Sequence, residues 1–190
     1  DNQKVLIKPL QIMNNGFYTI NPKFNSNLFV TFSEKKLILM PRNQTKNQIF
    51  WVQFDTNDGC CIIIEAESNN CLSTNTNSSE KGFISQSHFF NTDCQKWIIS
   101  PFNEEKNDFY IENKSSLLKL GTPENCEYNL QLNSDNQKVA QNNRQLFQFH
   151  KVDFNDEKRK EAIISLIKKV VNSKNLKLSS EIKNDTIING

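Results

Sequence analysis

The sequence predicts an all-β domain of three four-stranded repeats, followed by an amphipathic helix. The main evidence is a Gln-x-aromatic motif that occurs at 48–50, 95–97 and 145–147. Its copies are 47 residues apart (48 to 95) and 50 residues apart (95 to 145). Each copy closes a series of short apolar segments bounded by Asn, Ser, Gly or Pro, which is typical of strands. A period of about 48 residues indicates one supersecondary unit used three times.

Before the repeats lies an N-terminal arm, residues 1–15, in which Pro9 interrupts any strand ladder. The predicted repeats then span about 16–58, 59–106 and 107–152. Each repeat contains four apolar segments at a spacing of about 8–12 residues, which indicates a sandwich or a closed sheet. The segments are 17–20, 27–31, 37–39 and 47–52 in the first repeat, 61–64, 70–74, 83–85 and 94–99 in the second, and 109–111, 116–120, 130–132 and 144–149 in the third.

A single four-stranded unit has one apolar face and cannot bury it alone. Three units around an axis close a barrel, and closure also removes the strand edges that would otherwise pair with other chains. The predicted architecture is therefore a β-trefoil.

After Val152 the apolar spacing changes from that of strands to that of a helix. We predict a helix over 154–172, with Ile163, Leu166, Ile167 and Val170 on one face. Asn155 or Asp156 is suited to cap its N-terminus. The Ser- and Asn-rich stretch 173–190 is predicted to be a tail that is weakly ordered or packed only by context. We expect the helix to pack on the trefoil or on a partner chain.

Composition excludes several functions. The net charge of +2 gives no argument for nucleic-acid binding, and no apolar run is long enough for membrane insertion. The sequence has neither a G-x-S-x-G nor an H-E-x-x-H motif, and no Gly-rich phosphate loop. Its two histidines, His88 and His150, do not have zinc-site spacing with the cysteines. We therefore predict no enzyme activity, no catalytic residues, no cofactor and no metal.

Five cysteines leave at least one thiol unpaired within the chain. Cys71 and Cys94 belong to one repeat and form the favoured candidate disulfide. Buried free thiols are an equally good prediction.

The repeated pattern resembles the ricin B-type β-trefoil lectins over about residues 16–152. The resemblance implies that the motif glutamine bonds to backbone and that the aromatic ring enters the core. It also implies a carbohydrate-binding or adhesion module that is secreted or lies at a cell or spore surface, with a glycan or glycoprotein as partner. The structural Q-x-W residues are Gln48, Phe50, Gln95, Trp97, Gln145 and Phe147.

In such lectins a carboxylate on the second strand of a repeat binds sugar hydroxyls. By the resemblance, this position falls on Val30, Ser73 and Lys119, so none of the usual Asp positions is kept. Asn47 keeps the polar residue that precedes the motif glutamine. We therefore predict a displaced sugar site, and its candidate residues are Asn47, Ser73, His88, Phe89, Asn91 and Asp93. In the alternative interpretation, Phe89 and Phe90 pack in a hairpin and His88 is an ordinary surface residue.

Two other functions remain open. The first is a protein–protein interaction trefoil without sugar binding, which docks through the C-terminal helix. The second is a trefoil protease inhibitor, although no rigid reactive loop is identifiable.

Overall fold

The computed structural model describes residues 13–188, apart from 35, 44, 56, 76–80, 104, 123–129 and 134–142. It contains twelve strands in the described part of the chain, four in each predicted repeat. The arm at 1–12 and Cys126 lie outside the described residues. The strands are Gly16–Pro22 (β1), Leu28–Ser33 (β2), Lys36–Pro41 (β3), Phe50–Phe54 (β4), Cys61–Glu65 (β5), Cys71–Asn75 (β6), Lys81–Ser87 (β7), Trp97–Asn103 (β8), Asp108–Asn113 (β9), Lys119–Gly121 (β10), Gln131–Asn133 (β11) and Phe147–Lys151 (β12).

The first and fourth strands of each repeat form a closed six-stranded barrel. Antiparallel pairing runs in a ring from β1 to β4, β5, β8, β9, β12 and back to β1. The second and third strands form hairpins, β2–β3, β6–β7 and β10–β11. The third strands β7 and β11 also pair with each other. This arrangement is the predicted β-trefoil.

The motif aromatics occupy equivalent places at the centre of the barrel. Phe50, Trp97 and Phe147 are the first residues of β4, β8 and β12, and each is 0% exposed. Their register partners on the first strands are Tyr18, Cys61 and Phe109, which belong to the same buried cluster. Burial of these rings supplies a large apolar contribution to the core.

The C-terminal helix (α1) runs from Glu157 to Ile188 and is longer than predicted. Asp156 caps it, because its Oδ1 accepts a hydrogen bond from the Arg159 N–H (3.0 Å). Over 173–188, where a weakly ordered tail or one packed only by context was predicted, the backbone continues as helix. The capped start and the packing of the first half of the helix supply a nucleus from which it extends.

The predicted apolar face of α1 packs on the barrel. Ile163 is 0% exposed and lies in a second buried cluster with Phe17 and Trp51, on the outer side of the barrel strands. Leu166, Ile167 and Val170 pack partly buried against that cluster. Two polar contacts fix the start of the helix: Lys46 pairs with Asp156 (3.0 Å), and the Arg159 guanidinium donates to the Glu67 carbonyl (2.9 Å). No helix within the described residues is long and apolar enough to cross a membrane.

Candidate functional site

The second repeat carries a loop, residues 88–94, that is fixed from below by the motif glutamine. The Phe90 N–H donates to Gln95 Oε1 (2.8 Å). Gln95 Nε2 donates to the His88 carbonyl (2.6 Å) and to the Ser87 hydroxyl (2.7 Å). Because Gln95 is only 1% exposed, water competes little for these bonds. We call this set of bonds the glutamine brace, and the residues above it the repeat-two loop.

The first repeat has the same brace. Gln48 Oε1 accepts from the Asn43 N–H (3.0 Å), and its Nε2 donates to the Pro41 carbonyl (2.9 Å) and to the Thr31 hydroxyl (3.0 Å). The backbone partners lie five and seven residues before the glutamine in both repeats. In the first repeat the brace holds Asn43 where the second holds Phe90.

The repeat-two loop turns one phenylalanine inward and the next outward. Phe89 is 3% exposed and belongs to the cluster beneath α1. The prediction of Phe89 as a ligand-contacting residue is therefore wrong, because its ring is not accessible. Phe90 is 61% exposed and was missed as a candidate. Its position five residues before a motif glutamine is the sequence signal that identifies it.

His88 and Phe90 together form an exposed aromatic pair. Their ring centroids are 6.5 Å apart with an interplanar angle of 90°. Asn91 follows with φ +54°, a left-handed conformation that asparagine tolerates better than most residues. The turn at Asn91 lets the chain change direction between Phe90 and the 3-10 turn at Asp93–Gln95.

Asp93 presents a carboxylate at the edge of the repeat-two loop. Its side chain is 63% exposed and lies 3.3 Å from Lys114 Nζ. Lys114 also pairs with Asp58 (3.0 Å), which in turn binds Lys96 (2.6 Å). Partial burial acts to raise the pKa of Asp58, but the hydrogen bonds from Lys96 and Lys114 outweigh it and lower that pKa to about 2. Asp58 is thus committed to this ion-pair network, whereas Asp93 retains an accessible carboxylate.

Ser73 does not reach the loop surface. It is buried, and its hydroxyl contacts Cys94 Sγ (3.8 Å) beneath the loop. Cys94 Sγ also lies 3.0 Å from the Thr92 hydroxyl. Cys71 and Cys94 are both free thiols, so the predicted disulfide is not formed in the structure. Burial raises the pKa of Cys71 to about 12, which makes its thiol unreactive at neutral pH.

Asn47 lies in a different part of the fold from the repeat-two loop. It precedes Gln48, as Cys94 precedes Gln95, so the barrel's approximate threefold symmetry separates the two positions. Its Nδ2 donates to the Phe32 carbonyl (3.0 Å), and its Oδ1 accepts from Thr45. The structure therefore groups His88, Asn91 and Asp93 with Phe90 and leaves out Asn47.

The strand register also corrects one expected sugar position. Cys71 lies opposite Ile64, whereas Lys119 lies opposite Glu112, the equivalent of Ile64 in the third repeat. Lys119 is thus the counterpart of Cys71 and not of Ser73, whose counterpart is Gly121. None of these residues is acidic, so the revised register does not restore a carboxylate.

These groups are suited to binding rather than to catalysis. Exposed rings stack on apolar ligand faces, and a carboxylate accepts hydrogen bonds from hydroxyls. Hydrolysis of a glycosidic bond usually needs two carboxylates that flank the bond, and here the second nearby carboxylate, Asp58, is held by two lysines. Among the described residues, no cluster of three or more His, Cys, Asp or Glu side chains is arranged to hold a metal ion.

Several known protein structures share the fold of this chain. No protein-family model and no curated protein sequence matches the chain. A mosquitocidal holotoxin matches with a TM-score of 0.66 and 21% identity over 76% of this chain, which spans only 18% of the toxin. A Polyporus squamosus lectin bound to a human-type influenza-binding epitope matches with a TM-score of 0.59 and 18% identity, over 73% of this chain and 50% of the lectin. The BEL β-trefoil matches with a TM-score of 0.59 and 11% identity, over 77% of this chain and all of that one (100%). At such identities the similarity shows the fold, and that fold is a β-trefoil shared with lectins.

Proposed function

We propose that this chain is a non-enzymatic carbohydrate-binding module and that the repeat-two loop is its binding site. The main support is the exposed ring of Phe90, held rigidly by the glutamine brace beside His88 and near the carboxylate of Asp93. A preorganised site loses little conformational entropy when a ligand binds. The β-trefoil fold that the chain shares with lectins supports the same proposal.

Each group has a defined role in this site. The apolar face of a sugar ring stacks on Phe90, and His88 widens the aromatic surface. Asp93 accepts hydrogen bonds from two adjacent hydroxyls, while Lys114 fixes the orientation of its carboxylate. A neutral saccharide with neighbouring hydroxyls fits these groups best, because the exposed carboxylate of Asp93 can accept hydrogen bonds from two hydroxyls.

A glycan array with the purified chain, followed by titration of the best saccharide, tests this proposal. We expect Phe90→Ala to weaken binding at least about tenfold, or about 1.4 kcal/mol, because the sugar loses its stacking surface. Leu117→Asn is the matched control, because Leu117 is as exposed (66%) but lies in another repeat. Array binding that survives unchanged in both Phe90→Ala and Asp93→Asn would place the saccharide elsewhere and reject this site.

The alternative is a protein-binding trefoil that docks through α1. Ile163, Leu166, Ile167 and Val170 pack against the barrel of the same chain. Deletion of 154–190 separates the two functions: it abolishes partner binding in the interaction hypothesis. In the carbohydrate-binding proposal, Phe90-dependent binding is retained as long as the barrel remains folded and the glutamine brace still holds Phe90 outward, because Phe89 loses its contact with α1.

We propose a secreted or surface location for this module, where glycans are displayed. The four described cysteines are free, so this part of the fold does not depend on a disulfide. Fractionation of the native source with an antibody against the chain tests the location. Recovery only in the reduced cell interior would reject it.

A further inference from the structure

A second exposed aromatic group lies at the far end of the β8–β9 hairpin. Pro101 lies opposite Phe109 and Asn103 lies opposite Asp108, so Phe102 is an extra residue with no partner in the ladder. Such a bulge redirects the side chain of the inserted residue. The ring of Phe102 is 56% exposed. We call Phe102 and its neighbours Tyr110, Lys23 and Asp108 the bulge face.

The equivalent hairpin, formed by β4 and β5, has no bulge among its described residues. Pairing of β4 with β5 is regular from Phe50–Glu65 to Phe54–Cys61. Its outer side is covered by α1, which packs near Trp51 and Ile62. Tyr110 on β9 is the counterpart of Ile62 and remains only half-buried. The exposed rings of the bulge face therefore have no counterpart on the β4–β5 pair.

The bulge face has an ordered arrangement of rings and amines. Phe102 and Tyr110 pack edge-to-face, with centroids 5.7 Å apart. Lys23 Nζ lies 5.7 Å from the centroid of Phe102, and Lys119 Nζ lies 4.4 Å from that of Tyr110. These cation–π contacts restrict the rings and place N–H donors beside them.

A buried carboxylate holds one of these amines in place. Asp108 has no exposed side-chain surface and forms an ion pair with Lys23. It also accepts a hydrogen bond from Gln148 Nε2 (2.9 Å), which reaches the Lys106 carbonyl as well (3.1 Å). Because Asp108 has these partners, the Lys23 amine is positioned and its charge is balanced. Glu105 and Glu112 add further negative charge nearby, so the face is not selective for an anion.

We propose that the bulge face is a second saccharide site, distinct from the repeat-two loop. An exposed ring flanked by fixed donors of balanced charge suits a neutral polyhydroxyl ligand. The sugar stacks on Phe102, and Lys23 donates a hydrogen bond to a ring hydroxyl. This inference rests on the proposed carbohydrate binding and extends it, because it makes one chain bivalent. Two linked sites raise the avidity for a surface that carries many glycans by about 10²–10⁴ where both can engage at once.

The test is an NMR titration of the isotope-labelled full chain with lactose, N,N′-diacetylchitobiose and maltose. We expect ring resonances of Tyr110 and of His88 to shift with different dissociation constants. Phe102→Ala should raise the dissociation constant reported by Tyr110 at least tenfold and leave the one reported by His88 unchanged. Phe90→Ala should raise the His88 value and leave the Tyr110 value unchanged. Phe102→Trp should retain the Tyr110 response, since it keeps the stacking surface, and Leu117→Asn should alter neither.

The possible outcomes distinguish failure of the second site from failure of the proposed function. A His88 response without a Tyr110 response, or a Tyr110 response that persists in Phe102→Ala, overturns the second site and leaves the proposed function standing. A Tyr110 response alone supports the bulge face, and the repeat-two loop is rejected if the best saccharide of the array does not shift His88 either. Absence of both responses with all three sugars overturns the second site, and an array without hits then also rejects the proposed function.

Discussion

Repeats two and three carry the same motif glutamine, but the structure uses it differently. Gln95 makes three hydrogen bonds and fixes the repeat-two loop. Gln145 is 0% exposed, and neither its Nε2 nor its Oε1 has a hydrogen-bond partner among the described residues. The Thr122 hydroxyl, which corresponds to a brace partner in the first repeat, is likewise buried without a partner there. Positions 138 and 140, where the brace of the third repeat would end, lie outside the described residues.

A second pair of positions shows the same divergence. Glu65 and Asn113 end the first strands of repeats two and three. In both repeats the next residue donates its N–H to the carbonyl of the residue before a motif aromatic (Ala66 to Ile49, Lys114 to Lys96). The Glu65 carboxylate only accepts hydrogen bonds, from the N–H groups and the Ser68 hydroxyl of its own turn and from the Gln86 amide on β7. Asn113 both accepts and donates. A repeat thus preserves the position of a buried polar residue while its hydrogen-bond chemistry changes.

The largest expected effect is that of Asn113→Asp. Asn113 Nδ2 donates to the carbonyls of Cys94 (3.1 Å) and Lys96 (3.2 Å), and a carboxylate would face both oxygens. We expect a loss of about 3–5 kcal/mol in the free energy of unfolding, the cost of an uncompensated buried charge. Urea denaturation at pH 7 measures it.

Glu65→Gln is the counterpart in repeat two. It places an amide where a carboxylate accepted several donors, and we expect a loss of about 1–2 kcal/mol. Equal losses in the free energy of unfolding for Asn113→Asp and Glu65→Gln would contradict the difference in hydrogen bonding between the two positions.

The next effect on stability concerns the motif glutamines Gln95 and Gln145. Gln95→Met keeps the side-chain volume but leaves the Phe90 N–H and the His88 carbonyl without their partner, and we expect a loss of about 3 kcal/mol. Gln145→Met removes an amide without partners in the described structure and should be neutral or slightly stabilising. Thermal unfolding of the two variants side by side measures the difference. A Gln145→Met loss as large as that of Gln95→Met would show that Gln145 has partners in solution.

Asp58 connects the two repeats, because it binds Lys96 from one and Lys114 from the other. Its folded pKa of about 2 is below the unfolded value of about 3.9, so its stabilising contribution is present above pH 4 and is lost as the pH falls from 4 through 2. Since the group is partly solvent-exposed, we expect Asp58→Asn to cost only about 1 kcal/mol at neutral pH and low salt. Stability measured from pH 6 to pH 2 should show a smaller decline for Asp58→Asn than for the unmodified chain.

The smallest effect concerns a turn. Asn69 and Leu117 hold equivalent places with φ +59° and +57°, and each donates its N–H to the carbonyl four residues earlier. A left-handed conformation costs a leucine about 1–2 kcal/mol, and asparagine relieves part of this strain. We expect Leu117→Asn to stabilise the chain by about 1 kcal/mol and Asn69→Leu to destabilise it by a similar amount. A melting temperature that does not rise in Leu117→Asn would contradict this account.

The fold was predictable from the sequence because it depends on periodic apolar positions. Phe50, Trp97 and Phe147 mark the same barrel position in each repeat, and strand spacing then fixes the architecture. The packed half of the helix was predictable for the same reason, since its apolar face has a period of its own. Its extension to Ile188 was not, because residues 173–188 are rich in Ser, Asn and Lys, which are also common in unstructured segments.

The site was predictable only in part. His88, Asn91 and Asp93 lie close in sequence, and the structure places them in one loop. Which of two adjacent phenylalanines faces solvent depends on the brace and on α1, and neither contact is visible in the local pattern of residues 88–94. The bulge at Phe102 was missed for a similar reason, since an extra residue in a ladder is defined only by its partner strand.

The ring of barrel strands and the helix that covers it also bear on how the chain acquires its structure during synthesis. The barrel closes through pairing of β1 with β12, the first and last strands. The outer surface around Phe17 and Trp51 is covered only when Ile163 has been made. A nascent chain with two complete repeats therefore exposes both an open sheet edge and an apolar patch. At about 5–20 residues per second, the interval between Trp51 and Ile163 lasts roughly 6–22 s. During that interval the growing chain is most in need of protection from aggregation.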